Sequence, residues 1–526
     1  MLNFERLQTP PHDGDILIEP APSAWPALIN AGRQTPLQDL VLAGTPAEVL
    51  RTRTRRAVWG AEPDVPVIAC GHQPTFIHPG VWAKNVVVAR LIDLLGLAGG
   101  DLVVDNDTPH WQGLNVPCVG PDGLVRLETI PWGEAPAGAA CEGQPALPPD
   151  FLQEVKRRLA ELLPDVFPES ALPDYLEGFG RNGPTRDLIG QHMAGRAQVD
   201  QPLGAGLHAV RVSQAFGGPF LADLMLNADR FADAYNQALH EYRVQHHVRG
   251  PDRPLPDLAH HDNAIETALW IYRPGQRRRR LFVGREAGRL NLYADLEPVD
   301  RLDNDDLTRR PDDALASLTP WVVRPRALTL TLWARLLACD LFVHGIGGAK
   351  YDRITDHIFR NYYHLPPPPF ACVSATLRLP LPRHPKAEAN LPAARHRTRD
   401  LRHNPQRYLE IETGPRELLA RRMHLIEETN RLRASRGPRS ARRTVYTEIQ
   451  RVNTELLSTQ PDLGEQMQRE INRLTKEFHS HRLAVGREYF YALQPRQRLI
   501  EIAEQLADAL EPAAHPKNVD SLRDSR

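Results

Sequence analysis

The chain has 526 residues, which is too long for one ordinary hydrophobic core, so two or three domains are expected. Its 64 Lys and Arg residues nearly balance its 65 Asp and Glu residues, which argues against a dedicated nucleic-acid-binding protein. No stretch approaches the roughly 18 apolar residues of a membrane helix, and the first residues lack the pattern of a signal peptide. The five cysteines show no Cys-x-x-Cys spacing, which is typical of reduced thiols. We therefore expect a soluble, cytoplasmic protein without a membrane or nucleic-acid partner.

Residues 1–120 predict the first part of a parallel sheet. An arginine-rich piece at 51–56 (RTRTRR) is interpreted as the solvated face of a helix. An apolar run at 65–70, a helical pattern at 81–97 and a second apolar run at 101–110 then form a strand–helix–strand unit. Such units wind into parallel sheets, whose ligands gather at the carboxyl ends of the strands. His72 and Asp105 lie at two such ends, so we expect them to share one site.

Residues 121–320 differ from the preceding segment in their sequence pattern and are interpreted as a connective region inserted into the sheet domain. Pro- and Gly-rich connectors lead into amphipathic segments. A β-rich stretch at 268–284 (ALWIYRPGQRRRRLFVG) predicts a hairpin around Pro274 and Gly275. The four arginines at 277–280 could meet phosphates on the rim of this hairpin, but a solvated turn is the simpler interpretation.

The sheet pattern returns at 321–375, which predicts the second part of the core. A helix at 329–337 leads into a strand at 340–344, and Gly345, Gly347 and Gly348 follow. Glycines after a strand let backbone amides approach an anionic ligand closely. His344 and Lys350 flank these glycines, and the four prolines at 366–369 mark a connector.

Residues 376–526 are charged and helical, with apolar residues near heptad spacing. The candidate seam positions are Leu456, Leu457, Leu463, Met467, Ile471 and Leu474. The segment at 433–440 (RASRGPRS) should turn the chain. The pattern predicts two long antiparallel helices that form a coiled-coil arm, and a homodimer through this arm is the natural expectation.

Five segments occur in an informative order along the chain. They are GHQPTFIHPGVWAKN, DLVVDNDTPHWQGLNVP, RPRALTLTLWARLLACDLFVHGIGGAKYD, the charged helical arm, and REYFYALQPRQRLIEIAEQL. Together they resemble the bacillithiol-synthesis cysteine-adding ligase family, and the likeness spans most of the chain. The resemblance implies a Rossmann-like core related to class I aminoacyl-tRNA synthetases, with a connective insertion and a helical coiled-coil domain. It also implies a ligase that joins cysteine to an amino-sugar conjugate, glucosaminyl-malate, with ATP or ADP and magnesium as candidate cofactors.

The chain departs from the family pattern at three loops. The glutamine pair of the family turn reads His72-Gln73, and the acidic strand end reads DND at 105–107 with His110 later. The Gly-Gly-Pro element reads HGIGGAK at 344–350. These loops face the expected substrate, so a different amine or acid stays open as the substrate.

Each candidate residue has a role if the reaction activates a carboxylate and joins it to an amine. Two histidines could bracket a phosphate, two aspartates could bind an ammonium group, a sugar hydroxyl or magnesium, and a third histidine could act as the base. The predicted catalytic residues are His72, His78, Asp105, Asp107 and His110. The predicted substrate- or nucleotide-binding residues are Gln73, Gly80, Arg324, Arg326, His344, Gly345, Gly347, Gly348 and Lys350, of which the two arginines could grip a carboxylate.

Simpler interpretations of these residues stay open. Asp105 and Asp107 could form an Asx-type turn, His344 could pack at the sheet edge, and at least one of Arg324 and Arg326 could form a salt bridge with the inserted region. Two other functions also stay open. One is a metal-dependent hydrolase that uses the same aspartates and histidines, although no HxxxH or HxH pair supports it. The other is a non-catalytic nucleotide-binding scaffold whose arm recruits partners.

Overall fold

The computed structural model describes residues 6–74, 76–109, 113–134, 136–181, 187–247, 255–409 and 415–514. The chain divides into two compact units. The core unit comprises residues 1–116, 129–378 and 487–526, and the arm unit comprises residues 117–128 and 379–486. The last described residues, 487–514, which we expected within the helical domain, therefore belong to the core unit.

The described residues form sixteen strands and eighteen α-helices. The strands are β1 (Ile16–Glu19), β2 (Val41–Leu42), β3 (Thr45–Pro46), β4 (Val67–His72), β5 (Ala98–Val103), β6 (Gly113–Val119), β7 (Val125–Pro131), β8 (Ala209–Arg211), β9 (His260–His261), β10 (Ala264–Tyr272), β11 (Arg279–Glu286), β12 (Arg289–Ala294), β13 (Glu297–Asp303), β14 (Val322–Pro325), β15 (Leu341–His344) and β16 (Phe370–Ala375). The helices are α1 (Trp25–Arg33), α2 (Ala47–Trp59), α3 (Pro79–Leu95), α4 (Pro149–Leu162), α5 (Leu172–Gly180), α6 (Leu188–Asp200), α7 (Val212–Ala215), α8 (Gly218–Leu226), α9 (Ala228–Gln245), α10 (Asn304–Arg309), α11 (Pro311–Ala316), α12 (Ala327–Trp333), α13 (Ile346–Ile358), α14 (Pro385–His403), α15 (Arg416–Ala434), α16 (Arg439–Ser458), α17 (Pro461–Ala484) and α18 (Arg496–Ala514). Within this described part of the chain, none of the helices has both the length and the apolar character needed to cross a lipid bilayer.

A six-stranded sheet in the order β1-β16-β15-β4-β5-β8 forms the centre of the core unit. Five of its strands are parallel, and β1 joins the edge antiparallel to β16. The chain builds from β4 through β5 to β8, and it later returns to the other side of β4 with β15 and β16. The strand order therefore reverses between β4 and β15, and in open sheets of this kind a crevice lies at the carboxyl ends of the strands beside the reversal. The predicted α/β class with a parallel sheet is confirmed.

The central strands are apolar because protein covers both faces of the sheet. The first four residues of β4, VIAC, are fully buried, and all four residues of β15 are buried. Strands buried on both faces read as continuous apolar runs rather than as alternating patterns. This is why the runs near residues 65–70 and 340–344 predicted strands correctly.

A second, antiparallel sheet is formed mainly by residues 260–303 of the segment that we interpreted as an insertion, in the order β13-β12-β11-β10-β14, with β9 beside β10. The strand β8 comes from the same 121–320 segment but belongs to the central sheet, so this segment is not a wholly separate insertion. The predicted hairpin is the pairing of β10 with β11 and is confirmed. β14 comes from the returning core segment and pairs with β10, which places Leu269 opposite Pro325. This pairing brings the start of α12 beside the inserted region.

A buried carboxylate joins the amino ends of β4 and β15. Asp340, which precedes β15 and is 1% exposed, accepts a hydrogen bond from the Val67 amide (2.7 Å) through Oδ2. Its Oδ1 accepts from Nη2 of Arg51 and from Nη2 of Arg55, each at 2.8 Å. The prediction that the run at 51–56 is a solvated helix face is wrong for these two arginines of α2. It holds for Arg53, which is exposed.

The segment that returns to the core unit contributes a buried aromatic contact. The rings of Trp82 on α3 and Tyr491 stack with their centroids 5.4 Å apart. Both side chains donate to Oδ1 of Asp200, at 2.9 Å and 2.8 Å. Because all three residues are buried, the end of the described chain is part of the core rather than an appendage to it.

Four long helices, α14 to α17, form most of the arm unit, which also includes residues 117–128 with the facing ends of β6 and β7. A short connector at 435–438 joins α15 to α16, as the sequence predicts. A buried arginine, Arg422 of α15, donates to Oδ1 of Asn453 on α16 (2.7 Å) and to the carbonyl of His403 at the end of α14 (2.8 Å). Buried polar contacts of this kind require matching partners, so they favour one register of the three helices.

Replacing Asp340 with asparagine should destabilise the core unit strongly. The change leaves two arginines without their counter-charge, and removal of one partner from a buried ion pair costs about 3–5 kcal/mol. We expect a loss of that size in the free energy of unfolding, measured by urea denaturation. The control is Glu62→Gln. It removes an exposed ion pair with Arg56, another arginine of α2, and should lower the free energy of unfolding by about 1 kcal/mol or less. Equal losses in the two variants would contradict a central role for Asp340.

Candidate active-site cleft

A cavity of about 490 Å³ lies where the strand order reverses between β4 and β15; we call it the cleft. It receives side chains from the end of β4, from the loop after β5, from the inserted region, from the start of α12 and from α13. Six predicted site residues line it: His72, Gln73, Asp107, Arg326, His344 and Gly348. Three motifs that are far apart in the sequence therefore meet in one place.

His72 enters the cleft as a neutral imidazole. Burial and the nearby ammonium group of Lys84 lower the pKa of His72 to about 3. Its Nδ1 lies 3.3 Å from the carbonyl oxygen of Gln73, which can only accept a hydrogen bond. Nδ1 therefore carries the proton, and Nε2 keeps a lone pair that can accept from a ligand N–H or O–H group. A histidine that brackets a phosphate, the role that we expected for His72, would instead have to donate from Nε2.

Asp107 is held between an amide and a guanidinium group. Its Oδ2 accepts from Nε2 of Gln73 (2.7 Å), and its Oδ1 lies 2.7 Å from Nη1 of Arg278. The same Oδ1 accepts from the backbone amide of Thr108 (2.8 Å), which is the next residue, whereas an Asx-type turn bonds to the amide two residues on. The carboxylate is consequently fixed in position before any ligand binds.

Two arginines pack on Trp270 of β10, which also lines the cleft. The guanidinium carbon of Arg278 lies 4.7 Å from the ring centroid, and that of Arg326 lies 4.4 Å from it. Arg326 also forms an ion pair with Glu266 (2.8 Å). Sequence reasoning missed Trp270 and treated Arg278 as part of a solvated turn. The sequence does show an arginine run after a strand that contains aromatic residues. No local pattern indicates, however, that the partner of Arg278 is Asp107, which is far away in the sequence.

His344 is supported by a buried ionic pair. Its Nε2 lies 2.9 Å from Oδ2 of Asp352, which in turn lies 2.7 Å from Nη1 of Arg335. Burial by itself would raise the pKa of Asp352, but the charge of Arg335 and the contact with His344 hold it well below its usual range. Because both Arg335 and Asp352 are 1% exposed, they fix the His344 ring rather than meet solvent.

Asn106 is a further cleft residue that the sequence analysis passed over. Its Nδ2 donates to the carbonyl of Pro325 (2.7 Å), which fixes the orientation of the amide. Its Oδ1 has no hydrogen-bond partner within the described part of the chain, although the residue is only 3% exposed. Buried acceptors are normally paired, so the unpaired Oδ1 is an unusual feature of this cleft-lining residue.

Two predicted residues have other partners and do not line the cleft. Asp105 is fully buried, and its carboxylate accepts from the amide (2.9 Å) and the hydroxyl (2.6 Å) of Ser213. Arg324 pairs with Glu142 of the inserted region (2.6 Å). The salt-bridge interpretation is confirmed for Arg324, and Arg326 shows the same kind of contact.

His78 and Gly80 form the start of α3. Nδ1 of His78 accepts from the amide of Gly80 (3.1 Å), and the carbonyl of His78 accepts from the next two amides, at 2.9 Å and 3.0 Å. Burial lowers the pKa of His78 to about 4. The first amides of α3 are thus occupied, and His78 does not line the cleft that His72 lines.

The glycine segment begins α13 at the carboxyl end of β15. A Cβ atom added to Gly345 or Gly347 would have no atom within 4 Å, whereas one added to Gly348 would lie 2.8 Å from Nδ1 of His344. Lys350 is exposed on the same helix. The first amides of a helix have no intrahelical acceptor, so an anion can approach here. His110 lies outside the described residues.

Among the described residues, no three His, Cys, Asp or Glu side chains converge so as to hold a metal ion. The two aspartates named for this role are bonded elsewhere, Asp105 to Ser213 and Asp107 to Gln73 and Arg278. Magnesium at these carboxylates would have to displace those partners. The described residues therefore do not fit the expected magnesium site.

His72→Gln should make the protein less sensitive to acid. Between the ordinary histidine pKa of about 6.5 and the native value of about 3, the unfolded chain binds a proton that the folded chain excludes. Stability therefore falls as the pH drops through this window, by about 2 kcal/mol between pH 7 and pH 5 for this one group. Urea denaturation at both pH values should show a drop that is smaller by that amount in His72→Gln. Equal drops would mean that the folded protein protonates His72.

Comparison with known proteins identifies no family. No protein-family model matches the chain, and no curated protein matches it. The likeness noted in the sequence therefore stays a resemblance, and the geometry of the cleft is the stronger indication of a function.

Proposed function

We propose that the chain is a carbon–nitrogen ligase of the bacillithiol-synthesis cysteine-adding type, which joins cysteine or a related amino acid to an amino-sugar conjugate. One observation carries the proposal. The three loops that hold the resemblance, ending at Gln73, Asp107 and Gly348, meet in the same cleft although up to 275 residues of sequence separate them. A surface loop or a sheet-edge packing role for each would not require this convergence.

We also propose that the core is Rossmann-like. Numbered along the chain, the parallel strands lie in the order 3-2-1-4-5, which is the order of doubly wound nucleotide-binding sheets. A nucleotide would bind with its phosphates at the start of α13, because Gly345 and Gly347 leave the approach open and helix amino ends attract anions. The start of α3 is a poorer candidate, since His78 already caps it.

The chemistry needs an activated carboxylate and a nucleophilic amine. ATP, when bound, would supply the activation by converting a carboxylate oxygen into a leaving group. The neutral His72 would accept a hydrogen bond from the amine through Nε2 and so orient its lone pair, and the proton released as the carbon–nitrogen bond forms would pass to solvent, because a group with a pKa of about 3 holds it poorly. Asp107, fixed by Gln73 and Arg278, would orient the ammonium group or hydroxyls of the acceptor, and the arginines beside Trp270 would face the malate carboxylates.

We further propose that the arm is an antiparallel coiled coil that mediates dimerisation. Leu456 and Leu474, two of the predicted seam residues, are fully or almost fully buried within the arm unit. Met423 and Tyr446 are 64% and 55% exposed on α15 and α16, and large exposed apolar side chains are typical of association surfaces. Changing both to glutamate should convert a dimer into a monomer in light-scattering measurements. A wild-type monomer would contradict this part of the proposal.

The test of the function is turnover by the purified protein. With cysteine, glucosaminyl-malate and ATP, the wild type should form the amide, and His72→Gln and Arg278→Gln should lower kcat by about a hundredfold or more. Arg277→Gln is the matched control, because its exposed side chain is next in sequence but does not line the cleft. It should keep full activity.

The outcomes distinguish the alternatives. Failure of the wild type to bind or consume nucleotide with these substrates contradicts the ligase. One tightly bound metal ion, lost in Asp107→Ala, would favour a hydrolase. Nucleotide binding without turnover on any amine would favour a scaffold. Equal activity in Arg278→Gln and Arg277→Gln would reject the assignment of the cleft.

A further inference from the structure

A second cavity with an unusual concentration of arginine lies at the opposite end of β15 from the cleft. It has a volume of about 200 Å³ and is lined by Arg33 at the end of α1 and by Arg51 and Arg55 of α2. These arginines surround the amino end of β15, where Asp340 is buried, whereas the cleft opens at the carboxyl end of the same strand. The cavity is thus separate from the proposed active site.

The cavity carries an excess of positive charge. Asp340 neutralises one of the two arginines that it contacts. The remaining carboxylate is Glu48, an exposed residue on the rim. Three guanidinium groups therefore face two carboxylates, one of which is already shared. The hydroxyl groups of Thr35 and Thr52 donate to backbone carbonyls at 2.8 Å and 3.0 Å, so the arginines supply the donors.

Arg51 has donor capacity that the protein does not use. The residue is 8% exposed, and within the described residues its Nε has no hydrogen-bond partner. Its Nη2 donates to the carbonyl of Gly32 (2.7 Å) and to Asp340 (2.8 Å). Leaving a buried donor unpaired is unfavourable. Burial, and then the like charge of Arg55, lower the pKa of Arg51 to about 10, so an anion beside these two guanidinium groups would be favourable.

We propose that this cavity binds a tetrahedral oxyanion, phosphate or sulfate, either as the free ion or as the terminal group of a metabolite. The planar donor groups of arginine match such oxygens in charge and in geometry. The volume accommodates one such group. The sequence run at 51–56 thus has a binding role beyond supporting the helix, and this role does not depend on the function of the cleft.

Calorimetric titration of the full-length protein tests the proposal, with sodium phosphate as the first probe and phenyl phosphate as the second, at constant ionic strength set with chloride. Saturable binding is expected. Arg33→Gln changes an exposed side chain and should weaken binding at least about tenfold. Arg53→Gln is the matched control, with the same charge change on α2 outside the cavity, and should bind as the wild type does.

A gain of affinity separates binding from damage to the fold. Glu48→Gln removes the carboxylate from the rim and should tighten phosphate binding several-fold. Arg278→Gln, in the cleft, should leave the affinity unchanged. Tighter binding of phenyl phosphate would identify a phosphorylated metabolite as the ligand, and weaker binding would identify the free ion. Non-saturable binding, or equal affinities for Arg33→Gln and Arg53→Gln, would overturn the proposal.

Discussion

The layout of the core depends on the buried carboxylate of Asp340. It accepts from the backbone of β4 and from two arginines of α2, a helix about 285 residues earlier in the chain. Because a buried carboxylate is stable only when it is fully paired, this network fixes β15 beside β4. These are the two strands between which the strand order reverses, so a contact at their amino ends determines where the cleft forms at their carboxyl ends.

The cleft holds its charged groups in pairs. Asp107 is paired with Arg278, Arg326 with Glu266, and Asp352 with Arg335. His72 adds no charge, since burial keeps its imidazole neutral. Fixed, balanced pairs hold their dipoles in place before a ligand arrives, which is the arrangement that lowers the reorganisation needed for a polar reaction. A ligand would be recognised by the unused faces of these pairs rather than by a bare charge.

Local sequence predicted the parallel sheet and the residues at the carboxyl ends of its strands, because both depend on continuous apolar runs. This is how His72 and His344 were found. Local sequence did not predict which side chains after a strand face the cleft. Asp105 bonds to Ser213, whereas its neighbour Asn106 lines the cleft. Local sequence also failed for Arg278, whose partner comes from a distant segment. Contacts of that range leave no periodic signal in the sequence.

The stacking of Trp82 on Tyr491 has a consequence for how the protein is made. A ribosome releases the first strands of the core long before residue 491 emerges, and the whole arm is synthesised in between. During translation the pocket around Asp200 therefore lacks one of its two aromatic donors. Trp82 and Asp200 therefore meet their last buried partner only after the whole arm has been synthesised.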